Sequence, residues 1–168
     1  LLSLQSISVG MVKVLFVCIG NICRSPMAEA IFQHQIHQLG LSDRILTDSA
    51  GTDSWHVGEQ AHYHTRGVCE KKGIPVTHVA RQFKPKDLFE FHYILTMEES
   101  VHERVLQLHQ SRAQSIATVQ RMREYDPLRD QWDVPDPYGY PEHIYEETFN
   151  ILNRSCQALM DHIRREHL

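Results

Sequence analysis

The chain has 168 residues, 42% of them hydrophobic and 23% charged, which suits one globular domain with a sizeable core and not two. A formal net charge of −4 supplies no basic excess to displace counterions, so nucleic acid is excluded as the main ligand and any anion site has to be local. No apolar run reaches membrane-spanning length, no repeat or low-complexity tract is present, and the four scattered cysteines, Cys18, Cys23, Cys69 and Cys156, do not make a secreted disulfide framework.

Residues 1–10 lack the positively charged start of a secretory signal and are expected to be an N-terminal extension without chemistry, with Met11 the natural beginning of a domain over 11–168. Val12 to Val17 is a short apolar run rich in β-branched residues, which predicts a strand buried on both faces of a parallel sheet. Cys18 stands where that strand ends, and five residues separate it from Arg24. Such a segment can curl round a tetrahedral anion with its N–H groups inward. Gly20 is expected to take the sharp turn, Ser25 to cap a helix and Pro26 to occupy its first turn. The positive end of that helix, together with Arg24, favours both a bound phosphate and a Cys18 thiolate at neutral pH. Arg24 supplies a planar, permanently charged fork for two phosphate oxygens. The chemistry implied is phosphoryl transfer to sulfur.

Further along, Met27, Ala30, Ile31, His34 and Leu39 recur at roughly helical spacing until Gly40. Strands are predicted over Arg44–Ser49 and Phe91–Met97, helices over Ala61–Lys72 and Glu98–Gln110, and another strand within Ala113–Val119. Val134 to Pro141 contains three prolines and reads as a stiff exposed loop. In the last segment Tyr145, Thr148, Phe149, Leu152, Cys156, Leu159, Met160 and Ile163 share one face of a long helix. Strands alternating with helices imply right-handed crossovers and a parallel sheet, whose ligand lies beyond the carboxyl ends of the strands.

The Cys18–Pro26 loop resembles that of the low-molecular-weight protein tyrosine phosphatases. The similarity runs from about Met11 to the C-terminus and includes Asp48-Ser49-Ala50-Gly51-Thr52, Trp55-His56-Val57-Gly58-Glu59, His78-Val79-Ala80-Arg81-Gln82 and Asp136-Pro137-Tyr138. It implies a single-domain α/β fold with a doubly wound four-stranded parallel sheet, and phosphotyrosine-containing proteins as substrates. Small aryl phosphates, phosphate and vanadate-like anions would enter the same loop. It also implies that Asn21, Ser49 and His78 brace that loop by hydrogen bonds. Many members carry two adjacent tyrosines after Asp-Pro, whereas Gly139 separates Tyr138 from Tyr140 here.

The chemistry needs an acid opposite Cys18, because a phenolate leaves poorly without a proton, and Asp136 in the proline loop is the candidate. It would protonate the leaving oxygen and then activate the water that hydrolyses a phosphocysteine. Ser25 is suited to donate its hydroxyl to the Cys18 sulfur. Trp55 and Tyr138 are the expected aromatic walls of a slot for a phenyl ring, with Ile19 and Ile22 on its floor and Gly20, Asn21 and Cys23 contributing loop amides. Cys23 is close enough along the loop to form a peroxide-induced, reversible disulfide with Cys18. No cofactor and no metal are expected: His34 and His37 follow the two loop cysteines, but the intervening helix aims them away. A working thiolate suits the cytoplasm. Three alternatives remain. An arsenate reductase needs further cysteines that this chain does not place as a late pair. A protein-arginine phosphatase is expected to have threonine where Ile22 stands, and a non-catalytic phosphopeptide-binding module would need neither Cys18 nor Asp136.

Overall fold

Strand β1 (Val12–Cys18) is the axis of the molecule, and its alternation shows why. Val12, Val14, Phe16 and Cys18 enter the core on one face, while Leu15 and Val17 enter a second core on the other. The computed structural model describes residues 10–112 and 114–168, so the expected extension lies outside the described residues except for Gly10. Strands β2 (Ile45–Gly51), β3 (Tyr93–Thr96) and β4 (Thr118–Arg121) complete an all-parallel sheet in the order β2-β1-β3-β4. The chain moves outward from β1 to β2 and then crosses to β3 on the other side. The strand order therefore reverses beside β1, and the crevice beyond the carboxyl ends opens there. Cys18, the last residue of β1, stands in register with Gly51, the last of β2.

The helices are α1 (Arg24–Gln38), α2 (Tyr63–Glu70), α3 (Asp87–Glu90), α4 (Glu99–Gln110) and α5 (Glu142–His167), with a 3-10 turn over Met122–Tyr125. Helices α1 and α5 cover the Phe16 face, where Phe16 meets Phe32 edge to face at 5.6 Å. Leu88 of α3 and Val101 and Val105 of α4 cover the Leu15 face. All eight residues predicted on one face of the C-terminal helix are buried, joined by Ser155. Gly40 and Gly73 follow α1 and α2 with φ of 67° and 74°, the left-handed conformation that ends a helix.

Several boundaries differ from expectation for local reasons. Helix α1 begins at Arg24, not after Ser25, and the Ser25 hydroxyl does not cap it because the loop engages that hydroxyl instead. Helix α2 begins two residues later than its apolar pattern, where the His62 ring accepts from the His64 N–H at 3.1 Å and caps it. The last strand lies at Thr118–Arg121 because Ser115 and Ile116 are bonded to the Leu88 carbonyl ahead of it; Ala113 lies outside the described residues.

Candidate active site

The loop from Cys18 to Arg24 turns at Asn21, not at the expected Gly20: Asn21 has φ 58°, in the left-handed region. Its side chain compensates by using all of its hydrogen-bonding capacity. Nδ2 donates to Ser25 Oγ at 2.8 Å and Ser49 Oγ at 3.0 Å, while Oδ1 accepts from the Arg81 N–H at 2.9 Å and from His78 Nε2 at 2.8 Å. Asn21 is only 1% exposed, so these four partners define its position. Gly20 matters for a different reason, since a Cβ there would stand 2.9 Å from the His56 ring. Gly51 lets β2 approach the loop; a Cβ on it would lie 2.5 Å from the Ile19 carbonyl oxygen.

Cys18 Sγ lies 2.9 Å from Ser25 Oγ and accepts from the Asn21 N–H at 3.2 Å. Arg24 leaves the first turn of α1 with its side chain buried, donating through Nη1 to the Val134 carbonyl at 2.9 Å and through Nη2 to Glu98 Oε1 at 2.7 Å. Burial alone would lower the Arg24 pKa, but Cys18, Asp136 and Glu98 outweigh it and the net direction is upward. The guanidinium is a fixed cation beside the sulfur.

The proline loop is anchored at Val134, which is buried and donates its N–H to the Met97 carbonyl at 2.8 Å while accepting from Arg24. Asp136 Oδ2 lies 3.6 Å from Arg24 Nη2, Oδ1 accepts from the Tyr138 N–H at 3.1 Å, and the carboxyl remains half exposed. A buried ion-pair cluster holds the segment from below. Arg123 donates to Asp126 at 3.0 Å and to the Asp133 carbonyl at 3.0 Å, while Arg154 grips Asp126 at 2.7 and 3.1 Å. Burial pushes the Asp126 pKa up, but the Arg154, Leu128 and Arg123 hydrogen bonds prevail and hold it below the usual carboxylate value.

The resulting cleft has a volume of about 450 Å³ and brings together Cys18, Ile19, Gly20, Asn21, Ile22, Cys23, Arg24, Trp55, Asp136 and Tyr138. Trp55 and Tyr138 are exposed at its mouth, and Ser25, Ser49 and His78 stand behind the loop. Cys23 is buried with Sγ 3.6 Å from the Tyr145 hydroxyl, and burial pushes its thiol up to about 12.

Four participants have no loop signature in the sequence. Glu98 and the Val134 carbonyl orient Arg24 from residues far along the chain. His56, paired with Glu59, lines the cleft with its ring centroid 6.3 Å from that of Tyr138. His62 donates its N–H to the Ile22 carbonyl at 2.8 Å, stacks on Tyr145 at 5.3 Å and meets Tyr138 edge-on at 5.8 Å. Burial first, then His64 and Arg66, lower the His62 pKa, consistent with a neutral ring whose Nδ1 caps α2. The Trp55-His56 dipeptide is the one signal that could have found His56.

A doubly wound sheet carrying a cysteine-to-arginine anion loop at its switch point, faced by a carboxyl group, defines a cysteine-dependent phosphatase. Comparison with known proteins narrows the class. The model of the low molecular weight phosphotyrosine protein phosphatase family matches residues 13–168, and the chain belongs to that family. It is 38% identical over 158 residues to the low molecular weight protein-tyrosine-phosphatase YfkJ of Bacillus subtilis, covering 93% of this chain and 98% of that one. It is 36% identical over 150 residues to the human low molecular weight phosphotyrosine protein phosphatase, covering 89% and 94%. The crystal structure of YfkJ superposes with a TM-score of 0.86 at 36% identity over 94% of this chain and 98% of that one. That of DARP, a drosophila arginine phosphatase, also gives 0.86, at 30% identity over 92% and 99%. The chain is a protein-tyrosine phosphatase of this family.

Proposed function

We propose that the domain over residues 11–168 dephosphorylates phosphotyrosine in proteins, and small aryl phosphates, through a phosphocysteine on Cys18. The observation that carries this reading is the meeting, in one cleft, of Cys18, buried Arg24 and the Asp136 carboxyl. Cys18 sulfur attacks phosphorus as the bond to the tyrosyl oxygen breaks, and Asp136 gives its proton to that oxygen. Asp136 then takes a proton from the water that attacks the phosphocysteine, releasing phosphate and returning the thiolate. Arg24 and the loop amides, including that of Asn21, hold the phosphoryl oxygens. Ser25 stabilises the leaving thiolate: Asn21 already donates to its oxygen, which lies 2.9 Å from Sγ, so its own proton is available to the sulfur. Trp55 and Tyr138 flank the phenyl ring over Ile19 and Ile22.

The test is a rapidly quenched turnover of an aryl phosphate, expected to yield phosphorylated Cys18. Cys18→Ser should lose turnover while still binding vanadate. Absence of a phosphorylated thiol, or activity that survives alkylation of Cys18, rejects the reading. The likeness to DARP supports one rival, phosphoarginine as substrate. A phosphoarginine peptide hydrolysed faster than its phosphotyrosine counterpart would favour it, and the apolar Ile22 in the cleft speaks for the aryl group.

Cys23 lines the same cleft and serves as the resolving thiol: peroxide oxidises Cys18 to the sulfenic acid, which condenses with the Cys23 thiol to a disulfide and water. Peptide mapping after mild peroxide should find that disulfide; Cys18 sulfonic acid with free Cys23 would reject it. A thiolate nucleophile works in a reducing compartment, which supports the cytoplasm as its location. No helix among the described residues is long and apolar enough to cross a membrane.

A further inference from the structure

Tyr145 lies on the apolar face of α5, where the sequence pattern asks only for a large buried side chain. A phenylalanine would meet that demand, as Phe149 does one turn on. The hydroxyl needs another reason, because a buried one without a partner is costly. Its partner is Cys23 Sγ at 3.6 Å. The ring cannot swing that hydroxyl elsewhere. It is fully buried, stacked on His62 with centroids 5.3 Å apart and planes 17° from parallel, and closed on a further side by His64 at 4.9 Å. Cys23 is held as well, its carbonyl accepting from the Met27 N–H at 3.3 Å and from the Thr65 hydroxyl at 3.5 Å. Helices α1, α2 and α5 together fix a phenol against a thiol of the catalytic loop.

Either group can donate while both keep their protons. Once Cys23 loses its proton, the sulfur can only accept and the hydroxyl has to donate. The contact is therefore stronger with the thiolate than with the thiol, since a hydrogen bond to an ion exceeds one between neutral groups. That difference matters at a sulfur whose surroundings oppose ionisation. Burial pushes the Cys23 thiol up to about 12, and the Tyr145 hydroxyl is the largest influence in the opposite direction, ahead of Thr65, while Cys18 and Asp136 add to the rise. Burial before any other cause also raises the Tyr145 pKa, so the phenol keeps its hydrogen and remains a donor.

We propose that Tyr145 is a positioning residue for the redox chemistry of Cys23: its hydroxyl holds the sulfur in place and stabilises the thiolate that resolves oxidised Cys18. The inference rests on the reading of Cys23 as the resolving thiol. In the first step the Cys18 thiolate attacks one oxygen of hydrogen peroxide, the O–O bond breaks, hydroxide leaves, and the sulfur is oxidised to the sulfenic acid. In the second the Cys23 thiolate attacks that sulfur, the S–S bond forms and the S–O bond breaks. The departing hydroxide takes up the proton that Cys23 gave up and leaves as water. The Tyr145 hydrogen stays on its oxygen throughout.

Competition with dimedone, which traps sulfenic acids, measures the resolving step in the full chain. Under hydrogen peroxide the parent should yield mainly the disulfide of Cys18 with Cys23, and Cys23→Ser mainly the dimedone adduct of Cys18. Tyr145→Phe keeps the ring and loses the hydroxyl. Its resolving rate should fall by about tenfold or more, with more adduct and more sulfinic acid at Cys18, while kcat/KM of the reduced enzyme for an aryl phosphate is unchanged. Ring-fluorinated tyrosines at position 145 are stronger donors of nearly equal size, so they separate donation from packing: the resolving rate should rise with the acidity of the phenol. This series decides alone should Tyr145→Phe not fold. A Tyr145→Phe rate within about twofold of the parent's, or a rate indifferent to phenol acidity, overturns the inference and leaves the disulfide reading standing. A parent that gives as much adduct as Cys23→Ser, with no disulfide, overturns that reading and the inference with it.

Discussion

Replacing Asn21 by alanine isolates what holds the catalytic loop in shape. The substitution removes four hydrogen bonds in a residue 1% exposed. At about 1 kcal/mol net each, and more where a buried partner is left without one, the loss of stability is about 4 kcal/mol or greater. Alanine must also hold φ near 58°, which costs about 1 kcal/mol beyond asparagine. Asn21→Gly loses the same four bonds but not the backbone term, so it should recover about 1 kcal/mol relative to Asn21→Ala. Urea unfolding of the parent and both variants measures the two contributions, with vanadate affinity reporting loop shape in parallel. A loss under about 1 kcal/mol for Asn21→Ala would refute the claim that the four bonds act together. Equal losses for alanine and glycine would refute the claim of backbone strain.

Asp136→Asn should slow hydrolysis of aryl phosphates with poor leaving groups by about a hundred- to ten-thousand-fold and good ones far less; equal slowing removes Asp136 from its role as acid. Asp126, held below the usual carboxylate value, contributes stability that is full above its unfolded pKa of about 3.9 and is lost as pH falls through the folded value. Measured between neutral pH and that acid range, unfolding free energy of Asp126→Asn should be lower at neutral pH and fall less steeply on acidification; an unchanged acid slope contradicts the assignment. Two glycines make a matched pair. Gly51→Ala drives a Cβ to 2.5 Å from the Ile19 carbonyl and should cost both activity and stability, while Gly67→Ala, inside α2 with nothing within 4 Å, should stabilise by about 0.5–1 kcal/mol. Thermal melts of both, with activity for Gly51→Ala, check the contrast.

The grouping of the loop residues was legible because Cys18, Asn21, Arg24 and Ser25 are neighbours in sequence, and a strand end, a loop and a helix start impose a local geometry on them. The strands and the apolar face of α5 were legible because burial imposes a period. Element ends were less so: His62 capped α2 and the Leu88 carbonyl held back β4, each through a partner outside the pattern being read. Ser25 fits an N-cap by type, yet in the fold its hydroxyl is drawn to Cys18 and Asn21.

By itself, then, the order of residues determined the parallel sheet and the loop that sets Cys18 beside Arg24 and, through the family motifs, singled out Asp136 as the carboxyl group proposed to face them. Only the folded chain decided that Glu98 and the Val134 carbonyl aim Arg24, that Arg123 and Arg154 enclose Asp126 under the acid loop, and that the Tyr145 hydroxyl meets the Cys23 sulfur. The reason is physical: local geometry follows from a few adjacent residues, but a buried charge needs a partner wherever packing brings one, and no spacing along the chain records which distant carboxylate that will be.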